Sequence, residues 1–151
     1  MKKFFLFIVF LVAFVLLING AKNEQAIFIF DGDYSVYGVN YSGEVGSKIS
    51  LGCGEEVSCN KSEVEKVIKG FNEKIYGVTV KLANGKTIEE ILHILNAKIV
   101  RNESFLGRDI YYCYSQNNKN FVMENGKKIN YQISIKKDVV VIGSPLILGS
   151  Y

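Results

Sequence analysis

Residues 124–144, ENGKKINYQISIKKDVVVIGS, decide the fold class of this 151-residue chain. Asn125-Gly126 predicts a two-residue hairpin turn, because both central positions of that turn need positive φ angles. Apolar residues at 129, 131, 133 and 135 then alternate with polar ones, Asn130 among them, as in a half-buried strand. Lys136-Lys137-Asp138 predicts a second turn into a strand over residues 139–142. Strands with one polar face joined by tight turns predict an antiparallel sheet.

Two amphipathic helices are predicted on the N-terminal side of these strands. Asn60 with Glu63 forms a capping-box pattern at the start of the first helix, and Gly77 marks its end. Thr87 with Glu90 forms the same pattern at the start of the second helix. The apolar positions recur at helical spacing: Val64, Val67, Ile68, Phe71 and Ile75 in the first helix, and Ile88, Ile91, Leu92 and Leu95 in the second.

Shorter strands are predicted before, between and after the helices. They cover residues 27–30, 34–41, 48–51, 78–82, 110–114, 120–123 and 146–148. Each helix has one apolar face, which it must bury against the sheet. The chain therefore predicts an α+β fold, as a single two-layer domain over residues 26–151.

The N-terminus predicts export from the cytoplasm. Lys2 and Lys3 precede the fifteen apolar residues 4–18, FFLFIVFLVAFVLLI, and Asn19-Gly20-Ala21 breaks that run. We interpret residues 1–21 as a signal peptide or an N-terminal membrane anchor. The domain is then extracytoplasmic, either secreted or anchored to the cytoplasmic membrane by residues 4–18. The bias towards Lys, Ile and Asn indicates a low-GC bacterium.

The charge of the folded part argues against nucleic acid as a partner. The formal net charge of +3 comes from 18 basic and 15 acidic residues. Lys2 and Lys3 belong to the leader, so the remaining charges are nearly balanced, without the strong positive field that nucleic acid attracts. With 48% hydrophobic residues, the composition is that of a globular protein and not of a disordered one.

The sequence indicates no catalytic residue, metal site or cofactor site. The single histidine, His93, falls on the polar face of the second helix, and a lone histidine does not make a zinc site. Asp31-Gly32-Asp33 is typical of a turn, because a calcium loop needs further acidic ligands that the following residues lack.

Three cysteines leave their pairing open. In an exported protein Cys53 and Cys59 predict a disulfide across the short loop between them, just before the first helix. Cys113 is then a small buried hydrophobic residue in the strand over residues 110–114. The alternatives are reduced thiols, a different pairing, or Cys113 as a nucleophile with His93 as its base.

Tyrosines in the strands provide the candidate binding residues. Tyr112, Tyr114 and Tyr131 lie in β-rich segments, where a ring with a hydroxyl suits a sheet face used for contact. Ordinary cross-strand packing is the alternative role for these side chains.

Several C-terminal motifs resemble those of the YwmB-like proteins, exported proteins of Firmicutes. They are Tyr114-Ser115, the hairpin Asn125-Gly126-Lys127-Lys128 followed by Asn130 and Gln132, the ending Ile142-Gly143-Ser144-Pro145-Leu146-Ile147 with Tyr151, and an early match at Val36-Tyr37-Gly38. The resemblance implies a fold similar to the TATA-box-binding-protein domain: a curved antiparallel sheet with two amphipathic helices packed on one face. It implies no catalytic residues.

These observations predict a non-catalytic binding or regulatory module of the bacterial cell envelope. Its partner is expected to be an envelope protein or a wall polymer, which it contacts through the sheet face or an edge strand. Membrane contact is expected only through the N-terminal segment. The alternatives are a small secreted enzyme with a cysteine or carboxylate active site, and a membrane-tethered structural protein.

Overall fold

A computed structural model describes residues 26–83 and 85–149 of the protein. Over these residues the chain has an α+β fold, with an eight-stranded antiparallel sheet and two short helices. The predicted leader, residues 1–21, lies outside the described residues. Within the two described ranges, no helix has the length and apolarity needed to cross a membrane.

The elements follow one another with short connections. A 3₁₀ helix, Ala26–Ile29, opens the described chain. The helices are α1 (Val64–Gly70) and α2 (Ile88–Leu95). The strands are β1 (Gly32–Gly38), β2 (Ser47–Leu51), β3 (Gly54–Asn60), β4 (Ile75–Leu82), β5 (Lys98–Phe105), β6 (Arg108–Tyr114), β7 (Val122–Glu124), β8 (Lys127–Ile129), β9 (Tyr131–Lys136) and β10 (Val139–Ser144).

The large sheet has the strand order β2-β3-β1-β4-β10-β9-β6-β5, and every pairing in it is antiparallel. Its centre joins distant parts of the sequence, because β4 lies between β1 and the C-terminal strand β10. Strands β7 and β8 form a separate hairpin. At its turn, Asn125 and Gly126 have φ angles of 48° and 76°, so the predicted hairpin is confirmed.

One face of the sheet is buried against the helices. Alternate residues of the strands point to this face, which we call the helix face, while the others point to the open face. The helix face forms a single cluster with residues of both helices. Its largest fully buried members from the strands and helices are Tyr34, Tyr131, Ile91, Leu95, Ile133 and Ile142. Burying the two apolar helix stripes on one face supplies the core.

The two helices differ in how well the sequence predicted them. For α2 the capping box is confirmed: Thr87 Oγ1 accepts from Glu90 N–H, and Glu90 Oε2 accepts from Thr87 N–H at 2.8 Å. Helix α1 ends at Gly70, well before the predicted end at Gly77. Residues 75–82 instead form β4, which pairs with β1 and β10. Sheet pairing therefore overrides the apolar periodicity that extended the predicted helix through Ile75.

Two predicted strands were wrong, and two further strands lie where the sequence predicts none. Strands β3 and β5 are the two that the sequence does not predict. Residues 27–30 were predicted as a strand, but residues 26–29 form a 3₁₀ helix. The Tyr34 hydroxyl donates to Ile27 O in this helix (2.9 Å) and to Phe30 O just after it (2.7 Å). Residues 146–148 form no strand.

Asn130 is buried, although its alternation with apolar neighbours predicted the polar face. Its Oδ1 accepts from Ser115 N–H at 2.8 Å, and its Nδ2 donates to Ser115 O and Asn118 O at 2.7 and 2.8 Å. Asn118 Nδ2 in turn donates to Ser144 Oγ at 2.9 Å. These bonds satisfy the buried amide and hold the loop after β6 against the ends of β9 and β10.

The open face is crossed by residues 145–149, which we call the strap. Ile147 N–H donates to Gln132 Oε1 at 2.9 Å, and Leu148 N–H donates to Thr79 Oγ1 at 3.4 Å. A Cβ atom on Gly143 would overlap Ile147 N and the Leu146 carbonyl group. Glycine at this position therefore allows the strap to lie directly on the sheet.

We expect Gly143→Ala to destabilise the domain by about 1–3 kcal/mol, the range typical of overpacking. The added methyl group must push the strap off β10 or distort the strand. The free energy of unfolding from a urea titration measures this effect. Gly85→Ala is the control, because its Cβ would meet only Asp138 O at 3.5 Å. Equal stabilities of the two variants would contradict the packing of the strap.

Candidate functional site

The three tyrosines predicted to bind a partner do not share a surface. Tyr112 and Tyr114 lie on the open face of β6 and are half-buried. Tyr131 lies on the helix face and is 1% exposed. Its ring belongs to the core because residues 131, 133 and 135 point towards the helices. The structure therefore gives Tyr131 the packing role that the sequence analysis named as the alternative.

The ring and the hydroxyl of Tyr112 are engaged within the domain. The guanidinium of Arg101 stacks 3.4 Å from its ring centroid, and the Tyr112 hydroxyl donates to Glu103 Oε1 at 2.7 Å. Arg101 also pairs with Glu103 (3.0 Å) and, from the β7–β8 hairpin, with Glu124 (2.6 Å). Burial and the hydrogen bond to Glu103 raise the pKa of Tyr112. This cluster fastens the hairpin to the sheet, which is a structural role.

The predicted disulfide between Cys53 and Cys59 is absent, and all three cysteines are free. Cys53 is exposed in the turn before β3, whereas Cys59 is buried near the other end of that strand. Six residues of extended strand separate their Cα atoms by roughly 20 Å, about three times the span of a disulfide. The prediction was wrong because residues 54–60 form a strand and not a loop.

Cys113 lacks the environment of a nucleophile. It is 0% exposed on the helix face, and burial raises the pKa of its thiol to about 12. A catalytic cysteine needs a lowered pKa and access to substrate. His93 lies exposed on α2, as predicted. The geometry therefore contradicts the alternative in which Cys113 attacks a substrate with His93 as its base.

The residues described contain no group of three or more His, Cys, Asp or Glu side chains arranged to hold a metal ion. Asp31, from the segment weighed as a calcium loop, forms an ion pair with Lys61 at 2.6 Å. The hydrogen bond and the charge of Lys61 lower the pKa of Asp31. Asp31 thus serves to join the start of β1 to the end of β3.

A cavity with mainly apolar walls lies on the open face, at the end of the sheet where β1 and β4 meet the β2–β3 turn. We call it the sheet-end groove; its volume is about 540 Å³. Tyr37, Leu51, Tyr76 and Leu148 supply its apolar walls. A cavity of this size with mainly apolar walls is of the kind that binds a ligand or a partner side chain.

The floor of the sheet-end groove depends on glycine. A Cβ atom on Gly54 would lie 2.7 Å from Gly38 O and 3.5 Å from the Tyr76 ring. The main chains of β1 and β3 can therefore approach each other here, and space is left above them. Leu148 closes one side of the groove because the strap places it against Gly77.

Polar groups at the groove are few. Cys53, Glu55 and Glu56 border it. Glu56 Oε1 accepts from the Tyr37 hydroxyl at 3.0 Å. Glu55 accepts from Tyr41 N–H and pairs with Lys48 at 3.2 Å, and these contacts lower its pKa. The border of the groove therefore carries the carboxylate of Glu56 beside apolar walls, while Lys48 offsets the charge of Glu55.

Sequence analysis missed this site. Tyr76 and Leu148 were assigned to a helix and to a strand, and their meeting depends on how β4 and the strap fold. The only local signal was Val36-Tyr37-Gly38, in which a glycine follows a tyrosine within a strand. Glycine in a strand often marks a close backbone approach.

Comparisons of the chain with protein-family models, with curated proteins and with solved structures find no match.

We expect one of the three thiols to react rapidly with a thiol-specific reagent in the folded protein, and all three to react after unfolding. Cys53 is exposed, whereas Cys59 and Cys113 are buried with raised pKa values. Counting modified thiols by mass spectrometry gives the result. Cys53→Ser should abolish the rapid reaction. A Cys53–Cys59 disulfide would instead leave no rapidly reacting thiol and only one after unfolding without reductant.

We expect Glu55→Gln to lower the melting temperature at pH 7. Because the folded pKa of Glu55 is depressed, its contribution is present above the ordinary carboxyl pKa and is lost as the pH falls through the folded value. The difference from wild type should therefore shrink as the pH falls below about 4.5. Glu44→Gln is the exposed control, and a difference independent of pH would contradict this assignment.

Proposed function

We propose that this protein is a non-catalytic binding module that lies outside the bacterial cytoplasmic membrane and recognises a segment of another envelope protein. The sheet-end groove is the proposed binding site, and its apolar walls are the observation that carries the proposal. The leader-like sequence of residues 1–21 is the support for the extracytoplasmic location.

The chemistry of the groove favours a protein segment over a wall polymer. Apolar walls suit an aliphatic or aromatic side chain, whereas a glycan presents mainly hydroxyl groups. The carboxylate of Glu56 at the border repels an anionic polymer and attracts Lys or Arg. The proposed ligand is thus an extended peptide with a large apolar side chain next to a basic residue.

Kinship with the YwmB-like proteins is part of the proposal. Its support is the set of C-terminal motifs, including Asn125-Gly126 and Ser144-Pro145, together with an antiparallel sheet and two helices. The finer likeness to the TATA-box-binding-protein domain is also part of the proposal, although the sheet is not strongly curled. The near-neutral charge of the chain after its leader still argues against nucleic acid as the ligand.

Cys53 makes the proposed function testable, because it lies at the groove and is exposed. A membrane-impermeant maleimide that carries a photo-crosslinker is attached to Cys53 of the full chain in intact cells. Labelling itself tests the extracytoplasmic location. After irradiation, mass spectrometry maps the crosslinked segment, which we expect to contain an apolar residue beside Lys or Arg.

The matched control is Cys53→Ser with Asn102→Cys, which moves the probe to the exposed edge strand β5. We expect the mapped segment, as a synthetic peptide, to bind Tyr76→Ala about tenfold more weakly than wild type. Phe105→Ala, at an exposed aromatic outside the groove, should bind normally. The same products from both probe positions, or glycans alone, would overturn the groove proposal.

A further inference from the structure

The end of the sheet opposite to the sheet-end groove carries exposed apolar and basic side chains in one row. Phe105 and Leu106 form the tip of the β5–β6 hairpin and are 65% and 79% exposed. The strand register pairs Phe105 with Arg108, and Val139 with Lys136. We call these five residues, together with Lys137 of the β9–β10 turn, the tip surface. Across the strands the row therefore has two cations between two apolar residues, and Arg108 is half-buried and donates to Ser134 Oγ at 3.0 Å.

Leu106, at the first turn position of the β5–β6 hairpin, is not a residue that this kind of turn favours. Leu106 and Gly107 both have positive φ angles, 50° and 72°. Asn commonly fills the first position of such a turn, as Asn125 does in the β7–β8 hairpin. A left-handed conformation is unfavourable for a leucine, and Leu106 gains little burial within the described domain to offset it. A contact outside the domain would account for an apolar residue here.

The charges around the tip surface favour an anionic partner. Lys136 and Lys137 are exposed in and beside the β9–β10 turn. Of the nearby carboxylates, Asp138 lies in the turn, and Asp109 points to the helix face and accepts from Ser104 Oγ at 2.6 Å. Glu103, on the open face of β5, pairs with Arg101, and Asp33 lies farther along the sheet on β1, opposite Lys81. On the open face, the row that contains Phe105 thus carries cations.

The length of chain before the domain keeps it close to a membrane if residues 4–18 are retained as an anchor. Residues 19–25 can span at most about 25 Å when fully extended. The described chain begins at Ala26 on the helix face, and Gly32, six residues later, lies at the same end of the sheet as the tip surface. A tether of this length leaves the tip surface within reach of the bilayer.

We infer that the tip surface docks on the anionic lipid surface of the membrane. Phe105 and Leu106 enter the interface between headgroups and acyl chains, while Lys136 and Lys137 contact lipid phosphates. This adds a second membrane contact to the one expected from the N-terminal segment. It also turns the sheet-end groove away from the bilayer, towards a partner. The inference rests on the proposed location and on retention of the anchor.

The chain contains no tryptophan, so a single introduced tryptophan reports on its own surroundings. Phe105→Trp and, at the opposite end of the sheet, Tyr76→Trp are made in the full chain. Each is reconstituted in vesicles of phosphatidylcholine alone or mixed with phosphatidylglycerol, with and without brominated lipids. We expect the Phe105→Trp emission to shift to shorter wavelength and to be quenched by brominated lipid in the anionic vesicles, and Tyr76→Trp to show neither effect.

Adding Lys136→Glu and Lys137→Glu to Phe105→Trp should abolish the quenching while the chain still floats with the vesicles. A chain that does not float with vesicles contradicts the anchor and with it the inference. A chain that floats but shows equal emission from the two tryptophan positions overturns the tip surface alone and leaves the groove proposal standing. A blue shift that depends on protein concentration and not on lipid assigns the surface to a second copy and also overturns the inference.

Discussion

The shape of the open face depends on the close contact between Gly143 and the strap. Main-chain atoms of Ile147 and Leu146 occupy the space that a side chain at position 143 would fill. Gln132 and Thr79 then hold the strap by hydrogen bonds to its N–H groups. The strap therefore lies over the central strands β9, β10 and β4 near one end of the sheet, and Leu148 becomes a wall of the sheet-end groove.

A second constraint acts at the same end of the sheet. The buried amide of Asn130 bonds to main-chain groups of the loop that follows β6, and Asn118 extends the network to Ser144 at the end of β10. A buried amide stabilises a fold only when its donors and acceptors are satisfied, as they are here. The network sets where β10 ends and therefore where the strap begins.

The two ends of the sheet have different surface chemistry. One end has an apolar groove bordered by the carboxylates of Glu55 and Glu56, and the other has Phe105 and Leu106 beside lysines. In the proposed arrangement the lysine-bearing end lies on the membrane and the groove faces a partner protein. Neither role requires a catalytic group, and the buried thiols of Cys59 and Cys113 have pKa values raised far above neutrality.

Local sequence patterns alone determined the α+β class, the hairpin at Asn125-Gly126, the capped helix after Thr87 and the alternating strand after Asn130. These features depend on φ preferences, capping and side-chain alternation, which act over a few residues. The end of α1, the strands β3 and β5, the core position of Tyr131 and the separation of Cys53 from Cys59 depend on pairing between distant segments. The sheet-end groove depends most on this long-range pairing. Its walls come together only when β4 pairs with β1 and β10 and the strap folds over Gly143; they are Tyr37, Leu51, Tyr76 and Leu148.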